Sequence, residues 1–224
     1  GMSSFKWTVR KYLSPLRLLN YWRLVATSRR GYLRRTGWNR SLLGGVPCDA
    51  QGRELPWMNY AFIAFIEERL RRDMRVLEYG AGYSTVFWSR HVHSVHAVEH
   101  SGFFSGLIAD RLPPNAEVVL HTDADGVPYS RRGAEVAARH GGLRFDLVVI
   151  DGIHRVETAQ ASVELLTDDG VLVWDDAARP AYRPGFEALA ARGFRRLDFE
   201  GLKPGSYGVD RTAVCYRARN CLGL

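Results

Sequence analysis

The sequence predicts an α/β fold, a doubly wound and mostly parallel seven-stranded sheet with an antiparallel C-terminal hairpin and an N-terminal helical extension. Three observations carry this reading. From Arg75 onward, short apolar runs near 75–79, 94–99, 116–121, 145–150 and 169–174 alternate with stretches of helical period, as βα units do. The first of these runs ends in the glycine turn Gly80-Ala81-Gly82. The last two strand-like runs, 194–199 and 212–216, are joined by a loop containing glycine and proline with no room for a crossover helix, so they pair antiparallel.

The 224 residues, 46% of them hydrophobic and 12% aromatic, suit one α/β domain with an appendage. The charge of +7 divides that chain at about residue 48. Residues 1–48 hold ten Lys and Arg and no acid, which leaves 21 basic against 24 acidic residues in 49–224. Residues 1–48 are therefore a basic amphipathic helical extension, with Pro15 breaking it, and residues 49–224 are the domain. Across 5–36, Phe5, Trp7, Tyr12, Leu13, Leu16, Leu19 and Trp22 interleave with Lys11, Arg17, Arg23, Arg29, Arg30, Arg34 and Arg35. That pattern fits a helical cap with its basic face in water, and it also fits weak contact with a membrane surface. Arg17, Arg23 and Pro15 interrupt the only N-terminal apolar stretch, well short of the ~20 residues a spanning helix needs. Cys48, Cys215 and Cys221 lack metal-ligand spacing, and a reduced, cytoplasmic setting is expected.

After a glycine- and proline-rich loop over 44–56, Met58, Phe62, Phe65, Ile66 and Leu70 recur at helical spacing and predict a helix ahead of the first strand. That strand runs through Glu78 and Tyr79 into Gly80, Ala81, Gly82, Ser84 and Thr85, a strand-turn-helix at which the backbone can approach a ligand closely. Thr85 stands where a dinucleotide fingerprint has its third glycine, which argues against a pyrophosphate and hence against an NAD-dependent oxidoreductase. Glu78, a carboxylate beside the turn, suits a cationic group and repels phosphate. Glu99 closes the second strand seventeen positions after Gly82, where a carboxylate can accept hydrogen bonds from both ribose hydroxyls. His100 follows it at the same edge. These features point to S-adenosylmethionine (SAM) as the ligand.

Glu78-x-Gly80-x-Gly82, Glu99, the Thr122-Asp123-Ala124 segment after the third strand and the final hairpin together resemble the class I SAM-dependent methyltransferases over residues 75–217. The resemblance implies a Rossmann-like methyltransferase fold, Asp123 and Ala124 against the adenine, and Ser84 and Thr85 near the methionyl end. The segment Leu55-Pro56-Trp57-Met58-Asn59-Tyr60 and the ending Asn220-Cys221-Leu222 are similar to bacterial methyltransferase-like proteins of unassigned substrate.

Asp151 ends the fourth strand, and Asp175 and Asp176 end the fifth. Neighbouring strands lie ~4.8 Å apart, so these carboxylates are expected to converge. Convergence calls for raised pKa values or a hard cation such as Mg²⁺. The arrangement is similar to that of metal-dependent O-methyltransferases acting on catechols and macrolide sugars, which implies Asp151, Asp175 and Asp176 as metal ligands. Without metal, Asp151 faces the cofactor or acceptor while the aspartate pair caps a turn. Asp151 and His154 are the candidate catalytic residues, His154 as proton acceptor. Arg155, Arg179 and Tyr182 are possible acceptor-orienting or rim residues. The histidines at 91, 93, 96 and 100 form no evident ligand set, because strand alternation separates His93 from His96. The expectation is methyl transfer from SAM to a hydroxyl of a small-molecule or glycan acceptor, with no specific nucleic acid. The alternatives are a metal-independent methyltransferase for another acceptor and a non-catalytic SAM-binding module recruited by its basic N-terminus.

Overall fold

The computed structural model describes residues 17–224, so the predicted amphipathic pattern around Phe5, Trp7, Lys11, Tyr12 and Pro15 lies outside the described residues. Three N-terminal helices come first: α1 (Arg17–Arg30), α2 (Tyr32–Arg35) and α3 (Trp38–Gly44). The extension behaves in two ways. Trp22, Leu24 and Val25 of α1 are exposed beside its basic residues. From Tyr32 onward the chain docks on the body, with the Tyr32 ring edge-on to Tyr60 and the Trp38 Nε1 donating to the Ser206 carbonyl at 2.8 Å. No helix among the described residues is long and apolar enough to cross a membrane.

The body then runs α4 (Tyr60–Glu67), β1 (Arg75–Tyr79), α5 (Tyr83–His91), β2 (Ser94–Glu99), α6 (Gly102–Ile108), β3 (Ala116–Leu120), α7 (Arg132–Arg139), β4 (Phe145–Ile150), α8 (Arg155–Ser162), β5 (Leu166–Trp174), α9 (Arg183–Ala191), β6 (Arg195–Leu202) and β7 (Val209–Tyr216). The seven strands form one sheet in the order β3-β2-β1-β4-β5-β7-β6. The first five pair in parallel, and β7 pairs antiparallel with both β5 and β6. This is the predicted doubly wound sheet with its hairpin. Strands β5 to β7 are longer than their apolar runs: in β5 the register with β4 shifts between the Leu166 and Val171 pairings, and between β6 and β7 polar residues such as Glu200 continue the ladder.

Parallel strands buried on both faces read as continuous apolar runs rather than alternating ones. In β4, Val148 and Ile150 face the core under α7, α8 and α9, while Leu147 and Val149 face the opposite core under α4 and α5. The chain winds outward from β1 through β2 to β3 and then returns to β4 on the other side. The C-terminal ends of β1 and β4 thus flank a topological switch point, where ligands of such sheets bind.

Helix α4 is anchored by Asn59. Its Oδ1 accepts the Phe62 N–H at 3.0 Å as an N-cap, and its Nδ2 donates to the Phe199 carbonyl and Thr212 Oγ1 at 3.0 and 3.2 Å. One fully buried amide therefore joins α4 to the terminal hairpin. Replacing it with alanine removes a cap and leaves buried groups unpaired. We expect Asn59→Ala to lower the unfolding free energy by about 2–4 kcal/mol, read from urea denaturation; a loss below about 0.5 kcal/mol would contradict this anchoring role.

Candidate functional site

The turn after β1 is set by one backbone requirement. Gly80 has φ +100, and a Cβ there would lie 2.8 Å from the carbonyl carbon and oxygen of Asp151. Only glycine lets the turn lie this close to the end of β4. Beneath the turn, Glu78 is fully buried and accepts from Thr85 Oγ1 at 2.5 Å and from Trp88 Nε1 at 3.1 Å. Thr85 Oγ1 in turn accepts the Gly82 N–H at 3.1 Å. A β1 carboxylate, the first turn of α5 and the glycine turn are thereby joined. Burial raises the Glu78 pKa to about 7 against these hydrogen bonds, which favour the ionised form.

The turn floors a cavity of about 680 Å³ lined by Gly80, Ala81, Gly82, Ser84, Glu99 and Asp151 below and by Pro47, Trp57, Phe103 and Phe104 above. Glu99 is buried at its wall, and its Oε1 accepts the N–H groups of His100 and Ser101 at 2.8 and 2.7 Å. Of the remaining predicted cofactor residues, His100 lines this cavity, whereas Glu78, Tyr79 and Thr85 lie outside its lining. The Tyr79 hydroxyl instead donates to the Ser130 carbonyl and accepts the Gly133 N–H. Direct contact between Glu78 and a cationic ligand, as expected from sequence, is replaced by support of the turn from below. The physical reason is strand alternation, which points Glu78 into the core beneath α5.

A second recess of about 400 Å³ shares His100 and Ile153 with the cavity and adds His121, Asp123, Tyr129 and His154. Asp123 lines it with an exposed carboxylate; Ala124 does not line it. His154 stands here with φ +48 at the start of α8, turned away from the recess that holds the aspartates. His154, expected as the proton acceptor beside Asp151, thus lines a different recess from the one that Asp151 shares with Asp175 and Asp176. Tyr129, unremarked in the sequence, lines this recess: it is buried, its hydroxyl donates to the Val98 carbonyl, and a Cβ on Gly152 would sit 2.0 Å from the Tyr129 hydroxyl oxygen.

On the other side, Trp57 and Asp151 belong both to the cavity and to a polar recess of about 530 Å³ containing Asp175, Asp176, Lys203 and Tyr207. Lys203 sits among the acids, its Nζ 3.1 Å from Asp175, 3.3 Å from Asp176 and 3.2 Å from Asp210. The Arg155 guanidinium lies between Asp151 and Asp176, at 3.1 and 3.6 Å, and also donates to the carbonyls of Gly152 and Asp175. Arg155 is thus a clamp between the ends of β4 and β5. Arg179 pairs with Asp176, and Tyr182 packs on Trp174.

The predicted ligand set of Asp151, Asp175 and Asp176 is corrected accordingly. The carboxylates that converge within 4.8 Å are Asp175, Asp176 and Asp210, with an ammonium already among them, and Asp151 is held apart by Arg155. Mg²⁺ would have to displace both cations, so this donor set does not fit it. Burial, then the charge of Asp175, pushes the Asp151 carboxyl well above its usual range despite Arg155 and Lys203. Burial, then Asp175, also raises Asp210 to about 7. Lys203 and Arg155 hold Asp176 below its usual value although burial opposes them. Lys203 and Asp210 were missed because nothing near them marks a site; a lone lysine between two strands was the only signal.

No family model and no curated protein matches the chain. Among solved structures it is similar to precorrin 8w decarboxylase of Methanobacterium thermoautotrophicum, at 14% identity over 70% of this chain and 88% of that one, with a TM-score of 0.53. The precorrin-6y C5,15-methyltransferase of Geobacter metallireducens matches at 17% identity over 70% and 88%, with a TM-score of 0.52. The fold is that of the class I methyltransferases. An rRNA methylase of Streptococcus thermophilus, at 16% identity over 69% and 92% with a TM-score of 0.51, shares it. At these identities the likeness carries the fold alone.

Two outcomes follow for this methyltransferase fold. In the folded chain Glu78 keeps its proton up to about pH 7, whereas exposed in the unfolded chain it loses it near 4.5, so the stability it contributes below pH 4.5 is lost as pH rises toward 7. Relative to wild type, Glu78→Gln should abolish a fall of up to about 1.4 kcal/mol per pH unit in that window, measured by urea midpoints at pH 5, 6 and 7. Parallel slopes would refute it. Lys203→Met strands buried carboxylates and should cost about 3–5 kcal/mol at pH 8, and less at pH 5, where Asp210 takes a proton. An equal loss at both values would contradict that account.

Proposed function

We propose that the chain transfers a methyl group from SAM to a hydroxyl oxygen of a polar small molecule or a sugar unit, without a metal. The observation that carries this reading is one cavity at the switch point, walled by Glu99 and the glycine turn, that opens past Asp151 and Trp57 into a polar recess. A nucleoside cofactor and a polar acceptor would meet at that opening.

In this reading Glu99, its Oε1 fixed by two backbone N–H groups, accepts the ribose hydroxyls. The recess of His100, His121 and Tyr129 takes the adenine, with Asp123 at its rim. When bound, SAM supplies an electrophilic methyl on a sulfonium, which leaves as a thioether. Asp151 is the residue placed to take the acceptor's proton, since burial and Asp175 strengthen it as a base while Arg155 fixes its Oδ1. Two exposed aromatic rings, Trp57 and Tyr207, stand beside carboxylates and an ammonium in the acceptor recess, a combination suited to the apolar faces and hydroxyls of a sugar. Lys203 and Arg155 supply the positive charge that the acidic strand ends require, and this supports a reaction that runs without Mg²⁺.

Calorimetry tests the first half: SAM and S-adenosylhomocysteine should bind one to one, and Glu99→Ala should weaken both by about 10–100-fold. Absence of binding at millimolar cofactor would end the proposal. Once an acceptor is found, turnover should persist in chelator and drop at least about a hundredfold in Asp151→Asn.

A further inference from the structure

His96 of β2 acquires partners that the linear sequence does not reveal. His96 lies directly opposite Glu117 in the β2–β3 register, and its Nδ1 is 2.8 Å from Glu117 Oε1. His140, at the C-terminal cap of α7, brings its Nε2 to 2.8 Å from the same oxygen. The two rings stand 4.5 Å apart between centroids. His93 takes no part, as strand alternation requires.

We propose that His96, Glu117 and His140 bind one Zn²⁺ ion, with water as the fourth ligand. Two imidazole nitrogens and a carboxylate oxygen are the donors of open zinc sites, and imidazole disfavours Mg²⁺ and Ca²⁺. Their ligand atoms all lie within 4.8 Å of one another. Tetrahedral zinc with bonds near 2.0–2.1 Å separates its ligands by ~3.3 Å, so the 2.8 Å contacts need to widen by only about half an ångström. An outer partner is also present, because Ser94 Oγ lies 3.2 Å from His96 Nε2 and can fix the ring with Nδ1 toward the metal.

Exposure favours the same assignment. The His96 side chain is 9% exposed, whereas those of Glu117 and His140 are each 39% exposed, so the cluster has a closed base and an open side for water. Around Asp175 a lysine already occupies the centre; among the described residues no lysine or arginine pairs with Glu117. Zinc would take the place of the N–H groups that bridge the imidazoles and Glu117, each neutral ring carrying its proton on the nitrogen that faces away from the metal. It would pin β2, β3 and the end of α7 together. The site stands three residues before Glu99 on β2, ~10 Å away along the strand, and does not draw on the methyl-transfer reading.

The test uses the full chain freed of metal by chelator and titrated with ZnCl₂, followed by calorimetry and thermal melting, with CoCl₂ giving the visible spectrum of a tetrahedral site. We expect one saturable equivalent, a higher melting temperature, and affinity at least about tenfold weaker in both Glu117→Gln and His140→Ala, whose exposed positions leave the fold intact by circular dichroism. Glu99→Ala should bind zinc as wild type does, which separates this result from any failure of cofactor binding. No saturable binding by wild type, or undiminished affinity in either ligand variant, would overturn the proposal and leave the cluster as a proton-bridged hydrogen-bond network.

Discussion

Burying the carboxylate of Glu78 imposes a cost that the rest of the cofactor edge is arranged to offset. The group is fully buried, and Thr85 and Trp88 are the donors that satisfy it. Both donors stand on α5, so satisfying the acid fixes the rotation of that helix against β1. Thr85 also receives the Gly82 N–H, and the glycine turn is fixed with the helix. Gly80 can then rest on the end of β4, and Asp151, one strand away, inherits its position from the same contact. The floor of the cavity is thus held in place before any ligand arrives, which lowers the ordering cost of binding.

The acceptor side rests on a second polar chain. Asn59 donates to Thr212, Thr212 to Asp175, and Asp175 shares Lys203 with Asp176 and Asp210. Such a chain is stabilising only when each member is paired, and Lys203 is the member whose charge lets three acids stand together. The contrast between the two halves is chemical. One is built from backbone and a protonatable buried acid, the other from compensated charges.

Most of the fold was legible because apolar runs, glycine turns and hairpin spacing act over short distances along the chain. Strand ends were placed well where burial changes sharply, as at Glu99, and poorly where a strand crosses an irregular register, as in β5, or where polar residues continue a ladder, as in β6. At the site, Glu99 and Asp151 were placed at strand ends, and both line the cavity. Sequence reading misdirected Glu78 and His154, because proximity in the chain does not fix the direction of a side chain: alternation turns one into the core, and a left-handed backbone turns the other aside. Lys203, Asp210, Tyr129 and Glu117 were out of reach for a different reason. Each matters through a partner on another element, and only the three-dimensional pairing supplies it.

The loop between β6 and β7 leads to a point about how the molecule is assembled. Trp57 and Trp38 donate their indole N–H groups to its Pro204 and Ser206 carbonyls across 147 and 168 residues of chain, and Gly205 is so near the backbone of Ser41 and Leu42 that a Cβ would meet it at 2.9 Å. The floor of the cavity closes within residues 78–155, whereas the polar recess closes only when the last hairpin meets residues 38–57. During synthesis, the floor of the cavity is therefore made before the hairpin that closes the polar recess. The two halves meet at Trp57, whose indole takes part in that closure while its ring lines both spaces.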